Sequence, residues 1–501
     1  PWTLACYMIE GKGSKDFIKT RTALWKAKKW FKELIDTLIV YVADKLELQA
    51  RAGADVLMIF DSWSHMIPYP HFQEFGIKPT AKIIKLLRSK NIQQPIIGFP
   101  FKAGTSLVQY SYESNVDCIA LDWTVDLDWA LKNLNSSIAF QGNLHPSSLV
   151  SENNSYLEES VKSILEKMKN KKLNKDIIDI FKKFGLSHNH ALISTNALIN
   201  AELVGAYGHG LSRLKMYCDR ISKKVINPKP KIKIKKISSS ISHIDANNSI
   251  GFVAADLGIK TAIKHAQKTG IGMVAVKNSG HYGLSGYYAE QAVKKNLITM
   301  IYTNAPPAVA PHGALKTLFG TNPICFGSPT GSKIPFILDT SISMINRGKI
   351  RVAARNNQSI PAGVALDKFG KPTTDAKKAL AGVQLPIAGF RGSGLAWMVD
   401  ILSGVLTGGN HAGRVKDPFD DFSGPQNIGH LFITFKANLF QKNYNQRIKD
   451  NIKTIKKLPK IKGVKEIMYP GQNKFNRYKN NSKKEISIPD IIKKDLETLI
   501  S

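Results

Sequence analysis

Between Asp55 and Asn143 the chain repeats one pattern: a short apolar run ends at a polar residue, and a stretch of helical spacing follows. Asp55–Phe60 stops at Asp61 and Ser62. Pro95–Phe99 comes after a helix over about Lys78–Ser89, Asp117–Leu121 comes after a helix over Ser106–Ser114 and ends at Asp122, and Ile138–Gln141 ends near Asn143. Strands alternating with helices imply a parallel sheet, and the carboxyl ends of such strands are where a (β/α)8 barrel gathers its polar groups. About 170 residues are too few for a closed barrel of roughly 250. The expectation is therefore a partial (β/α)8 barrel over 1–170, with helix upstream from about Ser14 to Ala50 and downstream from about Tyr156 to Met168.

A chain of 501 residues has room for two to four domains. Composition shifts at the Lys/Asn-rich stretch Lys167–Lys175, which is the expected boundary, with a second domain over 173–501. No apolar run approaches the roughly 18 residues a membrane helix needs, so no membrane partner is expected. The chain opens on Pro1 with no initiator Met and no leader pattern, which points to a truncated reading frame. Cys6, Cys118, Cys218 and Cys325 lie far apart with no CxxC and no His at ligand spacing. That fits a reducing cytoplasm and no metal.

The formal charge of +33 raises the alternative of a basic nucleic-acid-binding protein. Its lysines, however, are scattered among Ile and Asn, and the aromatics do not interleave with them as a stacking platform requires. No specific nucleic-acid partner is expected. The densest stretch, Lys229–Lys236, largely alternates Lys with Ile, which predicts an edge strand with one solvated lysine face.

PWTLACYMIEG at Pro1–Gly11, GSKDF, IFDSWS, ALDW and QGNLHP occur in that order and resemble the middle portion of the uroporphyrinogen decarboxylase family of porphyrin biosynthesis. The resemblance implies that Tyr7 and Ser62 contact tetrapyrrole carboxylates at the barrel mouth. It also implies that the arginine-rich motif and essential Asp of that family would fall before Pro1, and that its closing GHG turn is missing after Met168. Decarboxylating a pyrrole acetate needs cations for the acidic side chains and a carboxylate for the protonated pyrrole. This half is expected to be inactive alone; the alternative is a bifunctional lyase completed by a partner chain.

In the second half, Asp176–Phe184 and His188–Val204 have helical spacing, Gly208-His209-Gly210 interrupts, and a further helix carries Arg213 and Tyr217. His209 and Arg213 are four apart, a spacing that aligns them at a helix start. Ile271–Val276 reads as a strand, followed by the glycine-flanked turn bearing His281 and a helix over about Ser285–Lys295. Polar turns recur at Thr303-Asn304-Ala305, Gly320-Thr321-Asn322-Pro323 and Asp339-Thr340-Ser341.

NSGHYG, TNAPPAVAP, GTNP, LDTS, RGKIR, PTTD and GFRGSGL together resemble the malate/L-lactate/ureidoglycolate dehydrogenase family, over about 173–501 up to the PGQ turn at Pro470–Gln472. The resemblance implies an α+β fold with a non-Rossmann nicotinamide site. Gly280, Gly283 and Gly286 are spaced GxxGxxG and do not form the dinucleotide fingerprint. It further implies an NAD- or NADP-dependent oxidoreductase acting on a small 2-hydroxy or 2-keto acid, in a homodimer. His281 is then the proton-transferring group, Arg213 the carboxylate-binding fork and His209 a second polar group near the substrate. Asn304, Asp339, Thr340, Ser341, Arg391 and Gly392 would line the cofactor. Two departures stand out: Gly208 replaces a common Ser in the SHG motif, and Phe390-Arg391-Gly392-Ser393-Gly394 replaces HKGYG.

Overall fold

The structure is a computed structural model, and it describes every residue except 27–28, 136–137, 151–153, 483 and 501; side chains at 154–156 and 166–171 are also left aside. The chain forms two compact units, Pro1–Lys175 and Asp176–Ser501.

In the first unit, β1 (Leu57–Asp61), β2 (Ile96–Pro100), β3 (Cys118–Ala120) and β4 (Ala139–Gln141) pair in parallel in sequential order. The helix Lys78–Ser89 buries Thr80, Ile83, Ile84 and Leu87, the one-sided stripe its spacing dictates. Gly98 in β2 is required by close approach, because a Cβ there would lie 2.4 Å from the Tyr110 hydroxyl. Trp2 is fully buried and meets Phe31 edge to face at 6.1 Å. The expected single helix over 14–50 is two, Ile18–Trp25 and Lys29–Arg51. Ahead of them Ser14 Oγ accepts from the N–H groups of Asp16 and Phe17, which holds 14–17 as a turn.

The Lys/Asn-rich stretch expected as the boundary lies within a continuous helix, Asn154–Lys183. Lysine is a good helix former, so a lysine run need not break a helix.

In the second unit, β5 (Lys233–Lys236), β6 (Ile241–Asp245), β7 (Ile271–Ser279), β8 (Leu297–Thr303), β9 (Ile324–Ser328) and β10 (Phe336–Thr340) come before the small hairpin-like pair β11 (Ala365–Leu366) and β12 (Val383–Gln384). The last strand is β13 (Ile428–Lys436). The main sheet has seven strands in the order β10-β9-β8-β13-β7-β6-β5, and only β6 and β7 are parallel. This is a mostly antiparallel sheet with helices, not a doubly wound one. The helix Gly251–Thr269 lays Ala254, Ala255, Ile259, Ala262 and Ala266 on the sheet, and Gly258 lets it approach, since a Cβ there would come within 2.6 Å of the Phe432 ring. β5 is the edge strand as expected, but all four of its residues are exposed. Ile234 therefore covers no core, whereas Ile232, just before the strand, packs against it.

Candidate active site

His281 follows the end of β7, where the strand gives way to the Gly280–Gly283 turn. Its Nδ1 lies 2.6 Å from the hydroxyl of Tyr217, on the helix Leu214–Ser222. The His209 ring stacks on the His281 ring at 5.7 Å between centroids. Arg213 sits just before the Leu214 helix and donates from Nε to the Gly208 carbonyl at 2.8 Å and from Nη1 to Met216 Sδ at 4.0 Å, which fixes the fork, while no ion pair among the described residues neutralises it. His209 and Arg213 stand in two successive 3-10 turns, Tyr207–His209 and Leu211–Arg213, and not on one helix start as expected. Gly210 forces the break: its backbone is extended, and a Cβ on it would strike the Glu202 carboxylate at 2.0 Å.

The electrostatics follow from crowding. Burial, then the Arg213 charge, hold His281 well below the ordinary imidazole range, and the same two causes push His209 down to about 4. Burial raises the Tyr217 phenol, so it stays protonated. Two neutral imidazoles, a phenol and a guanidinium thus share one site.

Behind this site, residues that the sequence did not single out hold it in place. Gln426 Oε1 accepts from the His281 backbone N–H at 3.3 Å, and its Nε2 donates to the Lys416 carbonyl at 3.0 Å. Arg220, fully buried, donates to the carbonyls of Asp417, Pro418, Asp421 and Gly424. That loop carries Phe419, whose ring lies 5.1 Å from the Arg213 guanidinium. His430 on β13 bonds Thr303 Oγ1 through Nδ1 and Ser279 Oγ through Nε2, each at 2.8 Å, tying β8 and β7 together beneath the turn. No motif in the sequence signals a loop 200 residues downstream of Arg213.

Of the residues expected at the cofactor, Asp339 near the end of β10 accepts from the Gly286 N–H at 2.9 Å and lies 3.6 Å from Lys474 Nζ. Thr340 is exposed, and Ser341 Oγ is 3.3 Å from Ser343 Oγ. Ile387 donates to the Ile342 carbonyl, so this segment adjoins the turn into the helix Phe390–Asp400 that bears Arg391 and Gly392. Arg391 is exposed. Gly392 is indispensable there, since a Cβ would meet the Ile387 carbonyl oxygen at 1.8 Å. Asn304 is different: it is buried, with Nδ2 donating to Asp400 and the Asn410 carbonyl and Oδ1 accepting from Gly429. Its side chain braces the end of β8 and does not face an opening.

In the first unit, Tyr7 and Ser62 both stand at the carboxyl end of β1. Tyr7 Oη accepts from Trp63 Nε1 at 2.8 Å, and Ser62 is exposed. The acidic residues at the strand ends are occupied locally. Asp61 accepts from Thr3 and so ties the first helix to the end of β1, and Asp122 accepts from the Lys102 and Thr124 N–H groups, the latter closing a local turn.

Residues 168–497 match the family model described as malate/L-lactate dehydrogenase. The chain belongs to that family. Residues 1–174 match the uroporphyrinogen decarboxylase model. L-sulfolactate dehydrogenase of Methanocaldococcus jannaschii is 38% identical over 324 residues, 63% of this chain and 91% of that protein. Its solved structure superposes with a TM-score of 0.62 at 35% identity, covering 65% of this chain and 94% of that one. Malate dehydrogenase of Pyrococcus horikoshii is 36% identical over 333 residues, 64% of this chain and 91% of that protein. Ureidoglycolate dehydrogenase (NAD(+)) of Escherichia coli is 32% identical over 312 residues, 62% and 88% respectively. Among the described residues no helix is long and apolar enough to cross a membrane, and no three His, Cys, Asp or Glu are grouped to hold a metal.

Proposed function

We propose that residues 173–501 form an NAD(P)-dependent dehydrogenase that moves a hydride between nicotinamide and a small 2-hydroxy or 2-keto acid. The observation that carries this reading is the Tyr217–His281 hydrogen bond set beside the Arg213 guanidinium, which no ion pair among the described residues neutralises. Arg213 holds the carboxylate in a two-pronged grip. With Nδ1 engaged by Tyr217, Nε2 of His281 is the ring nitrogen left for the substrate oxygen. In oxidation Nε2 of the neutral ring takes the hydroxyl proton and the ring becomes an imidazolium; in reduction the imidazolium gives the same Nε2 proton to the ketone oxygen and returns to neutral, with Tyr217 holding Nδ1 in both directions. His209, neutral and stacked on His281, adds a polar edge without a competing charge.

The residues present fit a nicotinamide dinucleotide. The exposed Arg391 makes no ion pair among the described residues and opens the helix Phe390–Asp400, whose first N–H groups favour phosphate. A cavity of about 450 Å³ lined by His312, Gly313, Ala388 and Gly389 adjoins it. Ser341 adjoins this cavity through Ser343, which bridges Pro386, and Gly392 follows in the same helix turn, whereas Asp339 lines a separate cavity with Lys474 and Arg477. A bound nicotinamide supplies or accepts the hydride at the substrate carbon.

Exposed Trp397, Ile401 and Val405, spaced by four along one helical face, support a homodimer. Four cysteines, none in a disulfide, support a cytoplasmic setting. The first unit we read as half a barrel without decarboxylase activity of its own, because Asp61 is committed to Thr3 and Asp122 to Lys102 and Thr124, while Arg51 and Arg88 are paired with Glu47 and Asp117. An absorbance screen at the nicotinamide band, run on the purified chain with NAD and NADP against a panel of 2-hydroxy and 2-keto acids, tests the reading. Silence across the panel would refute it.

A further inference from the structure

Lys453–Lys465 carries six lysines and no acidic residue, and four branched aliphatic side chains stand between them, Ile455, Leu458, Ile461 and Val464. All four are exposed, Leu458 by 54% and Ile461 by 79%. The segment opens in the last turn of the helix Tyr444–Lys456 and continues as a loop. That loop is closed at its base, where Lys456 Nζ pairs with Glu466 Oε1 at 2.6 Å and lies 5.4 Å from the centroid of the Tyr469 ring. Glu466 is held in turn by Gln472 Nε2 at 2.8 Å. Within the loop Lys460 Nζ donates to the Lys465 carbonyl at 2.9 Å, and the Val464 N–H donates to the Ile461 carbonyl. The aliphatic tip is therefore presented by a folded loop. Around it Lys453, Lys457, Lys460, Lys462 and Lys465 form no ion pair among the described residues.

We infer that this loop is a docking surface for a lipid bilayer with anionic headgroups, the lysines meeting the headgroup charge while Leu458 and Ile461 enter the boundary with the acyl chains. Charge complementarity selects the partner. Each unneutralised ammonium adds its own attraction to an anionic surface, and the aliphatic side chains between them gain only where they leave water for an apolar phase. A nucleic acid answers the charge alone, since 453–465 contains no aromatic ring on which a base could stack. A second copy of the loop brings the same charge and is repelled. The absence of a membrane partner expected from the sequence concerned spanning helices, which the described residues lack; a loop that rests on the surface needs none. None of these residues is among the groups placed around His281, so the inference is independent of the dehydrogenase reading.

The test is sedimentation of the full chain with vesicles of phosphatidylcholine, alone or with about one third phosphatidylglycerol. Binding should be at least about 100-fold tighter to the anionic vesicles and should disappear in about 0.5 M salt. The pair L458S and I461S, which leaves the charge untouched, should weaken it about 10-fold. The pair K457E and K462E should abolish it, whereas K264E with K268E, the same change of charge at exposed positions on the helix Gly251–Thr269, should leave most of it. Equal losses from the two charge reversals, or full binding by the serine pair, would overturn the assignment and leave only diffuse attraction to a chain of formal charge +33. So would binding to single-stranded polyuridylate without binding to vesicles, which would give the loop to nucleic acid. Thermal unfolding checks that each variant is folded. Should one fail, trypsin on the wild type decides: anionic vesicles should slow cleavage after Lys460 and Lys462 and not after Lys368 in another exposed turn, and equal rates at all three with and without vesicles would refute the docking.

Discussion

The Tyr217 hydroxyl and His281 Nδ1 stand 2.6 Å apart, so the tautomer of the imidazole is coupled to the direction in which the phenol turns its proton. His281→Ala should abolish hydride transfer while leaving cofactor binding intact, measured by cofactor fluorescence. Tyr217→Phe should lower kcat by about 10- to 100-fold and distort the pH profile, with little change in KM. Wild-type turnover by either variant would remove that residue from the proton path.

Arg213→Ala should act chiefly on KM for the acid, by about 2–4 kcal/mol of lost binding where the pair is shielded from water. Steady-state kinetics at saturating cofactor would reveal this, and an unchanged KM would rule out the carboxylate contact.

Arg220→Met should leave four loop carbonyls without their donor and destabilise the second unit by about 3 kcal/mol. Because the loop carries Phe419, KM should rise more than kcat falls. Thermal unfolding together with kinetics would separate these effects.

Stability should fall as the solution is acidified. His430 is held down to about 3 and His209 to about 4, against 6.5 for an ordinary imidazole. Above 6.5 folded and unfolded chains bind the same protons at these rings. Below it the unfolded chain takes up protons that the folded one refuses, so the folded state loses ground until pH nears 3 to 4. His430, fully buried, contributes about 3 kcal/mol of that loss at pH 4. Denaturation midpoints between pH 7 and 4 would measure it, and His430→Gln should flatten the slope.

Binding of oxamate should draw in protons near neutral pH. The bound carboxylate offsets Arg213, one of the charges that depress His281, so the imidazole becomes more basic. Calorimetry in buffers of different ionisation enthalpy would detect the uptake; binding with no proton exchange would place Arg213 and His281 on separate ligands.

How much was legible follows from which forces act locally. The helix Lys78–Ser89 and the strands beginning near Ile96, Ile271 and Leu297 lie where apolar spacing placed them, because burial of one face is written at short range. His281, His209 and Arg213 were named by the family resemblance, and they lie together: His209 stacks on His281, and the Arg213 charge is felt at both. Asp61 and Asp122 were read as polar groups at strand ends, but what they hold is set by distant N–H groups, of Thr3 for Asp61 and of Lys102 for Asp122. Asn304 was read toward the cofactor; its orientation is set by Asp400, Asn410 and Gly429, all about 100 residues away in sequence. Phe419 and Gln426 reach the site only through tertiary packing, which no local pattern encodes.

The strand at the centre of the seven-stranded sheet, β13, is the last one synthesised. Until its residues leave the ribosome, β7 and β8 have no neighbour between them, and the nascent second unit is two separate ribbons with exposed apolar edges. Its assembly is therefore a late event governed by long-range contacts, slow by nature and dependent on protection from self-association in the interval.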